Sequence, residues 1–218
     1  LIFNGFNTIA SFTFFIIKSH LFNDDASAVG VWPTLFGSAG ALVTTFLVIP
    51  IVARMSKKLG KKRAFIISQS ISIVGYIMLW FLMVPGKPYL FLFALPFHSF
   101  GIGGLFTIMM SMTADICDMD ELETGERREG TFGAIYWWMV KFGAAVAGAG
   151  SGLILSVIGF DQTVAIQSDE TLSMLRLSYV LIPCIGTSIA IFVMRNYDLD
   201  EQKANEIRAQ LDARAAAK

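Results

Sequence analysis

Residues 131–158 read TFGAIYWWMVKFGAAVAGAGSGLILSVI, an apolar stretch that contains a single charged side chain, Lys141. A helix needs about 20 apolar residues to cross the roughly 30 Å of bilayer hydrocarbon, so this stretch is long enough to do so. A helix is the expected form because lipid cannot satisfy exposed backbone groups, and the stretch does not alternate as a barrel strand does. The stretch therefore predicts a transmembrane helix.

Five further apolar runs flank it, at about residues 1–17, 29–53, 64–84, 89–113 and 174–194. The 218-residue chain is 16% charged, whereas soluble domains are about 25% charged, and apart from Lys141 and Arg176 its charges lie outside the runs. We predict an all-α membrane protein in which residues 1–195 form a bundle of six transmembrane helices and residues 196–218 form a solvated cytoplasmic tail. The chain opens on Leu1 inside an apolar run and has no signal-peptide pattern, so we expect a removed upstream segment.

Basic residues define the orientation. Thirteen Lys and Arg lie in segment 54–63, in segment 114–130 and in the tail from Arg195, whereas the other side has only Lys18, Lys87 and Arg176. The positive-inside rule places the first set, and both termini, in the cytoplasm. We therefore expect an integral protein of a bacterial inner membrane with six alternating spans.

Other function classes have little support. The chain has no HExxH, CxxC, P-loop or GxSxG motif, its net charge is zero, and Cys117 and Cys184 lie far apart. We predict no enzyme activity, no cofactor, no metal site, no disulfide and no nucleic-acid partner. A self-contained six-helix enzyme or channel is disfavoured because only two histidines are present and no filter-like loop is visible.

Lys141 is the sharpest candidate for a binding residue. It lies ten residues past Thr131, roughly 15 Å into the membrane, where a charge costs about 2.5–3.5 kcal/mol. Such a residue normally faces a cavity or a partner; the alternative is a lysine that snorkels to the surface. Trp137 and Trp138 precede it by four and three residues, and Tyr136 lies beside them, so aromatic rings can stack on a sugar near the ammonium group. Alternatively, these rings face lipid or the interface.

His98, inside the run 89–113, has two open interpretations. It is either a cavity or proton-carrying residue, or a neutral histidine bonded to a neighbouring carbonyl.

A second candidate cluster lies at the cytoplasmic end of that run. Asp115, Asp118 and Glu121 recur at helical spacing, and Arg127, Arg128 and Glu129 follow. We predict a cytoplasmic gate in which these acids pair with Arg54 and the lysines of 54–63 in one conformation and release them in another. The alternative is an ordinary solvated loop.

Two segments carry a family resemblance: residues 114–143, ADICDMDELETGERREGTFGAIYWWMVKFG, and residues 50–63, PIVARMSKKLGKKR. They resemble the glycoside–pentoside–hexuronide:cation symporters, the melibiose permease group of the major facilitator superfamily. The resemblance implies that the six spans are helices seven to twelve, one half of a major facilitator fold.

The resemblance also implies roles. Lys141 matches the family's eleventh-helix lysine at the sugar and cation cavity, and Trp137 and Phe106 match sugar-contacting positions, where melibiose permease has other residues. Its galactoside preference is therefore not expected here. The charged network of the family's cytoplasmic gate is matched by Asp115, Asp118, Arg127 and Glu129.

The implied function is cation-coupled sugar symport, with Na⁺ or H⁺ as the coupling ion and the cation site mainly in a separate N-terminal six-helix half. The implied partners are that half, a sugar or glycoside substrate and membrane lipid. The alternative is the same fold moving a non-sugar solute, such as a lipid or a drug, or acting as a sensor.

Overall fold

The computed structural model describes residues 1–164 and 166–216, and its main elements are helices. In chain order these are α1 (Ile2–Phe15), a π-helix (Ile16–Leu21), α2 (Ala26–Val29), α3 (Trp32–Val43), a π-helix (Thr44–Val48), α4 (Ile49–Leu59), α5 (Lys61–Leu82), a 3₁₀-helix (Pro88–Phe93), α6 (Leu95–Thr124), α7 (Glu129–Val157), α8 (Asp169–Met194) and α9 (Glu201–Ala216). Within the described ranges, the only isolated β-bridge joins Val84 and Lys87.

In the described part of the chain, five helical stretches are long and apolar enough to cross a membrane: Ser27–Leu59, Lys61–Leu82, Leu95–Thr124, Glu129–Val157 and Asp169–Met194. They coincide with the last five predicted spans. The first predicted span forms α1 and its π-helical extension, a continuous helical segment that contains the polar residues Asn4, Asn7 and Lys18. The all-α membrane fold expected from the sequence is thus confirmed.

The run 89–113 is not one continuous helix. Its first residues form the 3₁₀-helix, and α6 begins at Leu95 with Pro96 in the first turn, where its missing N–H breaks no helical hydrogen bond. At the other end, α6 continues through the acidic residues to Thr124 and ends at Gly125, whose φ of 76° is left-handed. The acidic cluster is therefore helical rather than a loop.

Close backbone contact between α5 and α6 determines the centre of the bundle. A Cβ atom on Gly75 would lie 2.3 Å from the backbone nitrogen of His98, and one on Gly104 would lie 2.7 Å from the Cβ atom of Ser68. Only glycine allows this approach, as is typical of packed membrane helices. The contact places His98 at the inner face of α6.

Two apolar clusters hold the helices together. The larger cluster joins Phe12 and Ile16 of the first helical segment to Leu79 of α5 and Tyr179 of α8. The smaller one lies around Val52, Phe65, Ile108 and Met112. By contrast, α7 contacts the bundle mainly through α1 and buries only Ala147 and Ser151. Most of the surface of α7 is therefore free.

The tail helix is mostly exposed, but it is attached to the bundle. Helix α9 packs against the C-terminal part of α6, and Ala204 is buried there. Arg214 Nη1 also donates to the carbonyl oxygen of Leu122, at 2.7 Å. Charged and main-chain groups of α6 therefore hold a largely exposed helix against the bundle.

Candidate substrate cavity and charged cluster

Lys141 lies in the middle of α7, 12 residues after Glu129 and 16 before Val157. At 1.5 Å per residue, it lies roughly 18 Å from one end of the helix and 24 Å from the other. The side chain is exposed, and within the described residues it forms no hydrogen bond or ion pair. A charge at this depth calls for a partner or water outside the surface of this bundle.

Aromatic rings connect the neighbourhood of Lys141 to α6. The ring centroid of Trp137, one turn before Lys141, lies 6.5 Å from that of Phe106, which in turn contacts Phe3 edge to face at 5.4 Å. Tyr136 contacts Trp137 at 5.5 Å. The structure therefore brings together two of the predicted sugar-contacting residues, Phe106 and Trp137, beside Lys141.

Trp138 lies apart from this group. It is 62% exposed and stacks on Phe142 at 5.3 Å, with the two rings nearly parallel. Tyr136 faces a separate cavity of about 500 Å³ near α1, α7 and α8, where its buried hydroxyl has no partner among the described residues. Of the three aromatic residues predicted to surround Lys141, Tyr136 and Trp137 thus contact each other, whereas Trp138 lies apart from them.

The larger cavity, of about 670 Å³, lies between α1, α3 with its π-helical continuation, and α6. A volume of this size is typical of small-molecule sites. Phe106 and His98 line it, so α6 connects this cavity to the aromatic surface near Lys141. Its remaining walls are Phe3, Phe6, Ile9, Ala10, Thr13, Pro33, Phe36, Gly37, Gly40, Ala41, Thr44, Thr45, Ile49, Leu95, Ser99 and Ile102.

Sequence reasoning did not identify Phe6, Phe36 or the small residues of α3 as cavity residues. An aromatic or glycine inside a span is ordinarily explained by packing or by lipid contact, so these positions carry no distinguishing signal of their own. Their role becomes visible only when α1 and α3 are placed beside α6.

His98 is 5% exposed, and its ring lies among the rings of Phe6, Phe36 and Tyr76 at centroid distances of 6.0, 5.9 and 5.5 Å. Neither ring nitrogen has a hydrogen-bond partner among the described residues. The carbonyl-bonded histidine, one of the two predicted alternatives, is therefore not formed. What the structure shows is a buried polar ring that borders a cavity.

The predicted gate residues form an ion-pair cluster centred on Asp115, which is only 2% exposed. Its carboxylate contacts Lys61 Nζ at 2.5 Å and Arg208 Nη2 at 2.7 Å. Asp118, one turn later, contacts Arg208 at 3.2 Å and Arg127 at 3.5 Å. Helices α5, α6 and α9 therefore meet at these two carboxylates.

Arg127 extends the cluster: it contacts Glu121 at 2.7 Å and also pairs with Glu129. Hydrogen bonding to Glu129 raises the pKa of the Arg127 guanidinium above its ordinary value. Among the residues that the structure describes, the neighbouring Arg128 pairs only with Asp120, and this hydrogen bond lowers the pKa of that carboxyl group.

Arg54 does not join the cluster. It is exposed and pairs with no acid in the part of the chain that the structure describes. The basic partner from segment 54–63 is instead Lys61, at the start of α5, which lies directly against Asp115. Segment 54–63 therefore pairs with the acids as predicted. The pairing residue is Lys61, which nothing in the sequence distinguished from the other lysines of the segment.

Comparison with known proteins gives one consistent result. The family described as "MFS/sugar transport protein" matches residues 3–201. The chain is 31% identical over 173 residues to the "Glucuronide carrier protein homolog" of Escherichia coli. The aligned region covers 79% of this chain and 37% of that protein. It is 28% identical to the "Isoprimeverose transporter" of Lactiplantibacillus pentosus (74% of this chain, 34% of that protein) and 28% identical to the "Uncharacterized symporter YnaJ" of Bacillus subtilis (84% and 38%).

The chain thus spans little more than a third of the length of these curated relatives. The match nevertheless covers nearly all of the six predicted spans and both segments that carry the resemblance. This integral membrane chain belongs to the MFS/sugar transport protein family, among the glycoside–pentoside–hexuronide:cation symporters.

Proposed function

We propose that this chain is the C-terminal six-helix half of a cation-coupled symporter that carries a sugar or a glycoside by alternating access. The observation that supports this most directly is Lys141, an exposed charge in the middle of α7, beside the aromatic pair Phe106 and Trp137. A mid-membrane charge next to aromatic rings suits a wet cavity in which rings stack on a sugar and the ammonium group binds its oxygens.

In this proposal the free surface of α7 and the cavity wall of α6 face a second six-helix bundle. Substrate binds between the two bundles near the bilayer midplane, as in other transporters built from repeated halves. The coupling ion, Na⁺ or H⁺, binds mainly on the second bundle, because the described residues provide no membrane carboxylate near Lys141. Both termini of this chain lie in the cytoplasm, and the membrane is a bacterial inner membrane.

The ion-pair cluster forms one side of the cytoplasmic gate. Within this bundle, ion pairs already link Asp115, Asp118, Glu121, Arg127 and Glu129. Arg54, which pairs with no acid among the described residues, can reach the other half. Exchange of partners between the two bundles then accompanies opening and closing. The names of the relatives, which include a glucuronide carrier and an isoprimeverose transporter, support a sugar or glycoside as the substrate.

Uptake by the full-length protein tests this function. Membrane vesicles are incubated with a panel of radiolabelled sugars and their methyl glycosides in the external medium, with an imposed inward gradient of Na⁺, of H⁺ or of neither. We expect gradient-driven uptake of at least one compound and its loss in Lys141→Ala. Lys87→Ala, which removes an exposed lysine from an outer turn, is the matched control and is expected to transport normally.

Normal uptake by Lys141→Ala would contradict the assignment of the site. Uptake of no sugar or glycoside by the unmodified protein would favour the second candidate, a family member that moves a lipid or a drug. The apolar lining of the 670 Å³ cavity is the observation that favours this candidate.

A further inference from the structure

Arg176 is a charged residue inside the apolar run 174–194, and the proposed transport site does not use it. It lies on α8, and the Cζ atom of its guanidinium group is 4.5 Å from the ring centroid of Trp80 on α5. Nη2 donates to the carbonyl oxygen of Trp80 at 2.8 Å. Among the described residues, Arg176 pairs with no carboxylate. One ring and one carbonyl therefore hold a positive charge that has no counter-charge in this bundle.

The guanidinium group keeps most of its hydrogen-bonding capacity. Arginine has five N–H donors in a planar fork, and within the described ranges Arg176 makes one side-chain hydrogen bond, to the carbonyl of Trp80. That carbonyl is in the last turn of α5, where a helix has no intrahelical donors left for its acceptors. Stacking on the indole fixes the plane of the fork, so its remaining donors point together at an acceptor outside the bundle. A forked cation of this kind suits a phosphate or a carboxylate.

The pair lies at the level where hydrocarbon meets the lipid headgroups. Trp80 is two residues before Leu82, the last residue of α5, and Arg176 is seven residues after Asp169, the first residue of α8. At 1.5 Å per residue, both lie within roughly 10 Å of a helix end. Tryptophan is enriched at this level of a bilayer, and a long arginine side chain reaches it from slightly deeper. This end of α5 is the one opposite Lys61 and the ion-pair cluster.

An apolar groove runs beside the pair on the outside of the bundle. Helices α5 and α8 pack against each other, and each also packs its buried face against the core, α5 on α6 and α8 on α1. Their other faces carry exposed apolar side chains: Ile77 and Phe81 of α5 are 46% and 68% exposed, and Leu177 and Leu181 of α8 are 41% and 44% exposed. The members of each pair are four residues apart and so share one helix face. The groove between α5 and α8 therefore has apolar walls and a cation at one end.

A phospholipid matches both features. In a membrane, acyl chains lie against exposed apolar side chains, because they are as apolar as leucine. A headgroup phosphate brings a negative charge and oxygen acceptors to the level of Arg176. A zwitterionic headgroup would also bring a second cation close to the guanidinium group, which repels it. A headgroup with net negative charge avoids this repulsion.

We propose that Arg176 and Trp80 bind the phosphate of an anionic phospholipid whose acyl chain lies in the groove between α5 and α8. The six residues named for this site do not line the larger cavity. The inference is therefore independent of the solute that the protein carries, and failure of the proposed transport function would leave it standing.

Native mass spectrometry of the full-length protein tests the site. The protein is released from a neutral detergent that contains equal amounts of dioleoyl-phosphatidylglycerol and dioleoyl-phosphatidylcholine, and the retained lipids are counted. We expect Arg176→Gln to retain one phosphatidylglycerol molecule fewer than the unmodified protein. Lys87→Gln, which removes an exposed base just beyond the same end of α5, is the matched control and is expected to retain as many as the unmodified protein.

Arg176→Lys covers a failure of Arg176→Gln to fold. It keeps the positive charge but lacks the fork, so it is expected to retain the phosphatidylglycerol molecule with about fivefold weaker affinity. An affinity equal to that of the unmodified protein would overturn the role of the stacked guanidinium group.

A second pair of variants tests the groove. Phe81→Ala removes the most exposed of the four apolar side chains and is expected to weaken binding of the same lipid by about threefold. Phe46→Ala is the matched control, because Phe46 is 76% exposed but lies on the π-helix Thr44–Val48, away from α5 and α8. It is expected to bind the lipid as the unmodified protein does.

Three results would overturn the proposal. The first is full retention of phosphatidylglycerol by Arg176→Gln, and the second is an equal loss in Lys87→Gln, which would mean that any base at this end serves. The third is displacement of the lipid by an equal concentration of inorganic phosphate or glycerophosphoglycerol, because the anion alone would then account for binding and the groove would have no part in it.

Discussion

The guanidinium group of Arg208 on α9 lies 2.7 Å from the buried carboxylate of Asp115 on α6. Because Lys61 of α5 contacts the same carboxylate, one acid connects the tail helix to two membrane helices. Asp115→Asn would leave Lys61 and Arg208 without this shared counter-charge. We expect amide exchange in residues 201–216 to become about tenfold faster. Loss of a fully buried ion pair would have a larger effect, because Arg208 is nearly half exposed and keeps its contact with Asp118.

Hydrogen–deuterium exchange of the full-length protein measures this effect. Asp212→Asn removes an exposed acid of the same helix and is expected to leave exchange unchanged. Equal protection of the tail helix in both variants would show that the ion pair does not hold it in place.

Gly75→Ala is expected to destabilise the bundle by about 1–3 kcal/mol, the usual range for overpacking. The added methyl group would overlap backbone atoms of Phe97 and His98, which cannot move aside as a flexible side chain can. Gly133→Ala on α7, where a Cβ atom meets nothing, is the control and is expected to be neutral or slightly stabilising. Thermal unfolding of the two purified variants in one detergent gives the comparison; matching midpoints would contradict the close contact between α5 and α6.

Acidification is expected to weaken the C-terminal end of the first helical segment through His20. Nε2 of His20 donates to the carbonyl of Met83 at 3.0 Å, while burial and then the charge of Arg176 lower the pKa of the ring below its ordinary value of 6.5. The folded protein therefore resists protonation of His20. The corresponding stability is present above about pH 6.5 and is lost as the pH falls toward the lowered pKa.

Unfolding temperatures at about pH 7.5 and pH 5.0, on either side of the ordinary histidine pKa, test this expectation. His20→Gln keeps a donor for Met83 but does not titrate, so its unfolding temperature should fall less between the two pH values. An identical fall in both proteins would assign the pH dependence to other groups.

Arg127 and Arg128 are adjacent in sequence but differ in their contacts, which makes them a matched pair. Arg127 contacts Asp118, Glu121 and Glu129, whereas Arg128 contacts Asp120 alone. If the Arg127 cluster acts in the gate, Arg127→Gln should lower the maximal uptake rate by about tenfold. This corresponds to a rise of about 1.4 kcal/mol in the free-energy barrier of one conformational step. The substrate concentration for half-maximal uptake should change little, because neither arginine touches the cavity.

Initial uptake rates, corrected for the amount of inserted protein, provide the measurement. Arg128→Gln should retain most of the rate. Equal losses in the two variants would mean that the loop tolerates no change of charge and that Arg127 has no special role.

The sequence pattern predicts the spans well because hydrophobic length is a local property. The runs 64–84, 131–158 and 174–194 correspond to Lys61–Leu82, Glu129–Val157 and Asp169–Met194. Some helices extend beyond the apolar runs into charged sequence. Lys61 and Asp115, for example, lie outside the runs but are helical, because they pair with each other instead of with water. The 3₁₀-helix before Pro96 was missed because hydropathy does not distinguish one apolar helix type from another.

The candidate site was predicted less completely because its contacts are distant in sequence. Lys141 and Trp137 could be identified from one helix, whereas Phe106 was identified only through the resemblance. The contact of Phe106 with Trp137 was not predicted. The partnership of Arg208 with Asp115 spans 93 residues and had no sequence signal. The same is true of the approach of Gly75 to His98, which depends on how two helices cross.

Helix α7, which buries only two of its 29 residues within this bundle, has a practical consequence for experiments. The tilt and depth of so lightly packed a helix are set largely by its surroundings, so acyl chain length should shift Lys141 relative to the rest of the protein. Micelles and bilayers of unequal thickness would then present the same ammonium group at unequal depths. Reconstitution into lipids of graded chain length would convert that sensitivity into a measurable dependence of transport on membrane thickness.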